Sequence, residues 1–124
     1  LVLLGGRVDA VVCEKTPTQR IEHVSYVNLF NQGELSWPDL LDYCYKNGLM
    51  ELLIEGGARL YSSAIAAGIV NQLICFIANK LIGQKDAISF LAMPHLSFLK
   101  DSIQFNNFKA AKSGDDLKIV ATLI

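Results

Sequence analysis

The residues most able to do chemistry are Glu55-Gly56-Gly57, a carboxylate and two glycines between an apolar run and a segment with helical character. A helix N-terminus has unpaired N–H groups and about half a positive charge, so it attracts anions. Glycines there supply no side-chain cap and let a ligand approach the backbone closely. The stretch therefore favours a phosphate site at the end of a strand. A tight turn that uses glycine as the helix N-cap explains the same pair equally well.

Polar side chains around the glycine pair extend the candidate site. Glu55 would end a buried strand, where a carboxylate needs a partner or opens onto a cavity. It could anchor a substrate beside the phosphate, form an ion pair with Arg59, or simply be exposed at the edge of the strand. Arg59 could reinforce phosphate binding, although surface arginines often contribute little. Ser62 and Ser63 could hydrogen-bond a ligand or pack within the helix, and we expect Tyr61 to pack.

The glycine pair does not belong to a standard nucleotide motif. Residues 58–61 are Ala-Arg-Leu-Tyr, so neither the dinucleotide fingerprint GxGxxG nor a P-loop Gly-Lys-Ser/Thr is present. A second pair, Gly5-Gly6, follows the apolar residues LVLL and precedes what looks like another strand, which favours an ordinary turn.

Composition indicates a globular chain whose overall charge attracts neither nucleic acid nor an anionic membrane. The 124 residues are 52% hydrophobic and 19% charged with a net charge of −1, so local geometry must hold any bound anion. The chain has an odd number of cysteines, Cys13, Cys44 and Cys75, and each lies among apolar residues. This favours buried free thiols in a reducing cytosol. His23 and His95 are far apart, so we expect no metal site.

Residues 60–83 are apolar enough to require a test for a membrane span. Gly68, the Asn71-Gln72 pair and Asn79 interrupt them, and no apolar run reaches the roughly 20 residues that a spanning helix needs. We therefore expect a soluble, cytoplasmic protein. The chain begins with LVLL, without methionine or a basic leader, which favours a piece of a longer polypeptide.

The hydrophobic pattern predicts alternating strands and helices and then a hairpin, in one domain or part of one over residues 1–124. We expect a loop at 14–22, an irregular stretch at 84–100 and a turn at 112–116. Strands are expected at 1–4, 10–13, 23–30, 49–54, 70–78, 102–108 and 117–124. This order favours a mixed sheet with helices packed on it.

Two helices are predicted from their end signals. The first should be capped by Ser36, with Pro38 in its first turn, Asp39 at the capping-box position and Gly48 as its stop. Its apolar stripe should contain Leu40, Leu41, Cys44 and, at the margin, Tyr45. The second should cover residues 58–67 and end at Gly68.

Residues 49–83, LMELLIEGGARLYSSAIAAGIVNQLICFIANKLIG, resemble the C-terminal reductase domain of the bifunctional riboflavin-biosynthesis deaminase/reductase (RibD) family. That family has a strand into Glu-Gly-Gly, a short helix, an Asp-Glu turn, a strand and a Pro-Lys-Leu-Leu-Gly end. The closing SGDDLKIVATL resembles its last hairpin. The chain departs from the family at Asn71-Gln72, in place of Asp-Glu, and at Asn79, in place of proline. The N-terminal part of the family's domain and the deaminase zinc signature have no counterpart here.

The resemblance implies a dihydrofolate-reductase-like α/β fold, with a mixed, mostly parallel sheet flanked by helices and an antiparallel C-terminal hairpin. It also implies an NADPH-dependent enzyme that reduces the ribosyl group of 5-amino-6-(5-phosphoribosylamino)uracil, or of the diaminopyrimidinone equivalent, to ribityl. The protein would place the nicotinamide C4 against the sugar C1 in a dry cleft. The cofactor would be NADPH and the partner a phosphorylated ribosylaminopyrimidine.

The resemblance also implies positions for the ligands, but it does not assign a catalytic residue. Glu55 would contact the substrate. Lys15 and Thr16 would be partners of the cofactor 2′-phosphate, near Cys13. The residues that would line the cofactor are Gly56, Gly57, Ala58, Arg59, Leu60, Tyr61, Ser62 and Ser63.

Two other functions remain open at this point. The chain could be a nucleotide-binding or dimerisation module without chemistry of its own, or a pterin-type reductase, because a fold does not fix its substrate. We expect a homodimer in any case, since the C-terminal strands offer edges that need covering.

Overall fold

The computed structural model describes residues 10–13, 24–31, 34–93 and 98–123. The chain divides into two compact units, Leu1–Gly57 and Ala58–Ile124. We call them the first and the second unit and describe each by itself.

The described strands of the first unit form two small pairs. Strand β1 (Ala10–Cys13) pairs in parallel with β2 (Val24–Val27), and β3 (Phe30–Asn31) pairs antiparallel with β4 (Glu34–Leu35). The strand predicted at 10–13 is thus confirmed. The one predicted at 23–30 is too long, because the Asn28 side chain accepts the Phe30 N–H at 3.2 Å and turns the chain. The predictions for 1–4, Gly5-Gly6 and 14–22 lie outside the described residues.

Helix α1 (Trp37–Lys46) has the predicted ends. The Ser36 hydroxyl oxygen accepts the Asp39 N–H at 3.4 Å, and Pro38 lies in the first turn. Gly48 follows the helix with a φ of +67°, a conformation that favours glycine. The Ser36 cap, Pro38 in the first turn and the Gly48 stop are confirmed. Asp39 does not complete a capping box, because the Ser36 N–H donates to the Leu29 carbonyl at 2.8 Å.

The buried face of α1 differs in part from the predicted stripe. Leu40 and Cys44 are buried as expected, but Leu41 is 42% exposed and Tyr45 is 86% exposed. Trp37, which the sequence reading left out, is buried with them. The spacing 37, 40 and 44 follows the helical period, so residues 41 and 45 project about 100° from 40 and 44. The assignment of Leu41 and Tyr45 to the core was wrong.

The strand predicted at 49–54 is reduced to a single bridging residue, Leu53. Met50 is 91% exposed and Leu53 is 40% exposed, whereas Leu52 and Ile54 are half-buried. A strand covered on both faces was expected from the apolar composition. Only alternate residues of this run are partly covered, so the prediction was wrong in extent and in burial.

The second unit begins with helix α2 (Ala58–Ala66), within one residue of the prediction. Gly68 ends it with a φ of +66°, and the Gly68 N–H donates to the Ile65 carbonyl at 3.0 Å. Ser62 and Ala64 are its buried residues. This end has the backbone geometry of a glycine C-cap.

The second unit continues with an antiparallel sheet in the order β5-β7-β6, formed by β5 (Gln72–Ile77), β6 (Asn107–Ser113) and β7 (Asp116–Thr122). Ala121, at the centre of the sheet beside Leu73 and Phe108, is fully buried. At the turn before this sheet, the Asn71 carbonyl accepts the Leu123 N–H at 3.0 Å. Because the backbone of residue 71 makes this contact, it does not depend on whether the side chain there is Asn or the family's Asp.

The C-terminal hairpin is confirmed, but its first strand is shifted. We expected strand at 102–108, whereas β6 starts at Asn107 and continues to Ser113. The turn consists of Gly114 and Asp115 alone, with Gly114 at a φ of +62° as two-residue hairpin turns require. Residues 112, 113 and 116 were therefore wrongly assigned to the turn. Irregular chain occupies residues 102–106 of the predicted strand, and a short 3₁₀ helix (Leu99–Asp101) precedes it.

Candidate functional site

The N-terminus of α2 carries no side-chain cap at Gly57. The chain enters this helix directly from Glu55-Gly56-Gly57, and all three residues are exposed. A helix offers no internal partner to the N–H groups of its first turn, here those of Ala58, Arg59 and Leu60. Gly57 stands at the N-cap position and has no side chain to occupy them. An anion could therefore reach these donors from solvent.

The backbone of Gly57 does not itself require glycine. Its φ is not among the positive values that Gly48, Gly68, Gly83 and Gly114 adopt. A Cβ added at Gly57 would meet no atom within 4 Å among the described residues. Steric demands of the turn therefore do not explain the glycine, whereas a glycine N-cap and the close approach of a ligand are both consistent with it.

The two helices differ in the charge near their N-termini. Helix α1 has the Ser36 cap and Asp39 in its first turn, so a side-chain oxygen and a carboxylate already offset its positive end. Helix α2 has no acidic residue in its first turn, and Arg59 there is exposed. The positive end of α2 is therefore reinforced rather than neutralised.

The two serines of α2 have different surroundings. Ser62 is 7% exposed, and its hydroxyl oxygen accepts the Ala92 N–H at 2.7 Å. Ser63 is exposed, and its hydroxyl donates to the Leu60 carbonyl at 2.9 Å. Ser62 therefore packs against another part of the second unit, through a hydrogen bond to a residue 30 positions away in the chain. No sequence signal points to such a contact.

The other predicted site residues divide by exposure. Ala58, Leu60 and Tyr61 are half-buried, while Glu55, Gly56, Gly57, Arg59 and Ser63 are exposed. The exposed carboxylate of Glu55 is available to a polar ligand, and its alternative ion pair with Arg59 stays a prediction. Lys15 and Thr16 lie outside the described residues.

Other chemistry finds little support in the part of the chain that the structure describes. No group of three or more His, Cys, Asp or Glu side chains there is arranged to hold a metal. Cys44 is buried and Cys75 half-buried, and both are free thiols. Burial raises the pKa of the Cys44 thiol above its ordinary value, which makes it a poor nucleophile. Within the same residues, no helix has the length and apolar character to cross a membrane.

A shallow apolar depression lies within the second unit. Its volume is about 180 Å³, and its lining is formed by Ile65, Gly68, Val70, Ile103 and Leu123. Pockets for drug-sized ligands are usually about 300–1,000 Å³ and contain placed polar groups. The depression therefore does not suit a dinucleotide, and the helix terminus remains the better candidate.

Comparison with solved structures places the fold in a known class. The chain superposes on RibD of Acinetobacter baumannii with a TM-score of 0.66 and 18% sequence identity, covering 81% of this chain and 27% of that one. The fold is therefore the dihydrofolate-reductase-like fold of riboflavin-biosynthesis reductase domains.

Sequence comparison then identifies the family. The chain belongs to the RibD C-terminal domain family, which it matches over residues 5–117. It is 33% identical over 101 residues to the riboflavin biosynthesis protein RibD of Buchnera aphidicola, covering 81% of this chain and 27% of that protein. It is 24% identical over 76 residues to a 2,5-diamino-6-ribosylamino-4(3H)-pyrimidinone 5′-phosphate reductase of Archaeoglobus fulgidus, covering 61% of this chain and 35% of that protein. The chain thus spans about a third or less of the length of these relatives.

Proposed function

We propose that this chain is part of an NADPH-dependent reductase of riboflavin biosynthesis. The enzyme reduces the ribosyl group of 5-amino-6-(5-phosphoribosylamino)uracil, or of its diaminopyrimidinone equivalent, to ribityl. Membership of the RibD C-terminal domain family and the name of the Archaeoglobus relative support this reaction class. The proposed compartment is the cytoplasm and the proposed assembly a homodimer.

The observation that carries the proposal is the open N-terminus of α2 directly after Glu55. The N–H groups of Ala58, Arg59 and Leu60 can donate to the oxygens of a pyrophosphate. Gly57 allows the phosphate to approach, because a Cβ built there meets no atom of the described residues within 4 Å. Exposed Arg59 adds a cation on the same turn. The residues present therefore fit a dinucleotide cofactor.

The chemistry divides between cofactor and protein. When bound, NADPH would supply the hydride to the sugar C1 of the open-chain imine or carbonyl, and the nitrogen or oxygen bonded to C1 would take up a proton. The protein would bind the cofactor phosphates at the N-terminus of α2 and would thereby position the nicotinamide ring against the substrate. We assign Glu55 to the substrate, since an exposed carboxylate can accept hydrogen bonds from sugar hydroxyls or from amino groups of the pyrimidine. We assign Lys15 and Thr16 to the 2′-phosphate, which would give preference for NADPH over NADH.

The proposal is tested by assaying the full-length protein with each pyrimidine phosphate and with NADPH or NADH. Oxidation of NADPH that depends on one of the two substrates, with formation of the ribityl product, is the expected result. Cofactor oxidation that neither substrate accelerates would contradict the reductase assignment. Comparison of kcat/KM for the two substrates identifies the physiological one.

A further inference from the structure

A part-buried hydrogen bond joins α2 to a distant part of the second unit. The Ser62 hydroxyl oxygen accepts the Ala92 N–H at 2.7 Å, and Ser62 is 7% exposed whereas Ala92 is exposed. A hydrogen bond removed from water is stronger electrostatically than an exposed one. This contact therefore fixes the position of the backbone at Ala92 relative to the helix.

Ala92 belongs to a segment with few other attachments. We call residues 78–93, which directly follow β5 in the chain, the strap. Residues 78–90 are all exposed. The other hydrogen bonds found in the strap are local, Ala87 N–H to the Gln84 carbonyl and Leu91 N–H to the Ser89 hydroxyl. Among the described residues, Ser62 thus provides the one long-range hydrogen bond of the strap.

The attachment point lies close to the proposed phosphate site. Ser62 follows Ala58, the first residue of α2, by four positions, which is about 6 Å along the helix axis. The strap backbone at Ala92 is therefore roughly one helical turn from the first-turn N–H groups. The strap also carries two exposed lysines, Lys80 and Lys85, and the exposed apolar side chains of Ile88 and Phe90.

We propose that Ser62 is a positioning residue that holds the strap, through the Ala92 N–H, as one wall of the nucleotide site at the N-terminus of α2. In this role Ser62 contacts no ligand. It keeps the Ala92 end of the strap within about one helical turn of a nucleotide bound at the first-turn N–H groups. This inference rests on the proposed cofactor site. The resemblance implies that Ser62 contacts the cofactor directly, whereas here Ser62 acts on the cofactor only through the strap.

The test compares Ser62→Ala with Ser62→Thr, which keeps a hydroxyl. Ser102→Ala serves as a control outside the strap. Among the described residues, the Ser102 hydroxyl makes only a local hydrogen bond, from the Gln104 side chain at 2.8 Å. In full-length protein we expect Ser62→Ala to raise the KM for NADPH about two- to tenfold at nearly constant kcat. Ser62→Thr should restore much of the loss, and Ser102→Ala should match the parent.

Limited trypsin digestion examines the strap without relying on activity. Lys80 and Lys85 are exposed cleavage sites within it. Ser62→Ala should speed cleavage there at temperatures well below unfolding, and NADPH should slow cleavage in the parent. The melting temperature of each variant is measured as well. Faster cleavage at an unchanged melting temperature indicates release of the strap, whereas a lowered melting temperature indicates loss of the whole fold.

The outcomes distinguish this inference from the proposed function. If the parent binds NADPH but the cofactor leaves cleavage at Lys80 and Lys85 unchanged, and Ser62→Ala leaves the KM unchanged, the strap is not a wall of the site. If the parent fails to bind NADPH at all, the proposed cofactor site is wrong. Unchanged cleavage in Ser62→Ala without ligand would overturn the positioning role itself.

Discussion

Glu55 is the single side chain to which we assign the substrate, and a charge-only substitution tests this role. Glu55→Gln keeps the shape of the side chain and removes the negative charge. Because the residue is exposed, we expect little change in stability. A lost substrate interaction should lower kcat/KM by more than about twofold and leave the NADPH affinity intact. Retained kcat/KM together with a collapse of NADPH affinity would reassign Glu55 to the cofactor.

Cys44 gives a pH-dependent prediction. Desolvation by burial raises the pKa of its thiol in the folded protein, so the folded state keeps the thiol proton more firmly than the unfolded state. The resulting stability is present below the unfolded-state pKa, about 8.5, and is lost as pH rises through the folded-state pKa. The free energy of unfolding should therefore fall more steeply above about pH 8.5 than it does for Cys44→Ala. Parallel pH curves from denaturant unfolding of the two proteins would contradict this.

Individual residues were predictable from the sequence where their role is local. The Ser36 cap and the Gly48 stop depend on chemistry within a few residues, and both are confirmed. The burial of Trp37 and the bond from Ala92 to Ser62 depend on which distant segment packs there. That information is not contained in local spacing. The glycine pair lies between these cases, because the lack of a side-chain cap could be predicted from the sequence but its purpose could not.

At the scale of elements, the two ends of α2 should respond differently to alanine. Gly68→Ala forces a φ of +66° on a residue with a side chain, which should cost about 1–2 kcal/mol of unfolding free energy. It should leave NADPH affinity unchanged, since this end carries no phosphate donors. Gly57→Ala serves as the matched substitution at the other end and should affect binding more than stability. Thermal unfolding and NADPH titration of both variants check this, and equal effects on binding would count against the assignment of the N-terminus.

Helices and strands were predicted correctly where a residue that favours a turn, such as glycine, lies at their ends. Helix α2 and the hairpin were found because Gly68 and Gly114 mark their ends. Strand β6 was misplaced by five residues at its start, because residues 102–106 alternate like a strand but form irregular chain. The apolar run 49–54 failed in the opposite way, since composition alone does not supply a partner strand.

At the scale of the molecule, exposed apolar surface on the second unit favours self-association. The edge strand β6 exposes Phe108, and β5 exposes Phe76 and Ile77. Such edges are usually covered in the assembled protein. We predict at least a dimer by light scattering, and a stable soluble monomer of 13.6 kDa would contradict this for the chain alone. Phe108→Ser should shift the equilibrium toward monomer, whereas Phe98→Ser, at equal exposure outside the sheet, should not.

The central claim is that Gly57 is open because a pyrophosphate binds at the N-terminus of α2, and Gly57→Val tests it most directly. The branched side chain would occupy the approach to the first-turn N–H groups. Each lost charge-assisted contact costs about 1.5–3 kcal/mol, so NADPH should bind at least tenfold more weakly.

The same variant should remain folded. Gly57 has no positive φ and a Cβ there meets open space, so the stability cost should not exceed about 1 kcal/mol, the effect of a poorer N-cap. NADPH titration and thermal unfolding of Gly57→Val in the full-length protein give both quantities. The account predicts a large loss of affinity with a nearly unchanged melting temperature. Unchanged NADPH affinity would contradict it and would leave the glycine pair as a turn without a ligand.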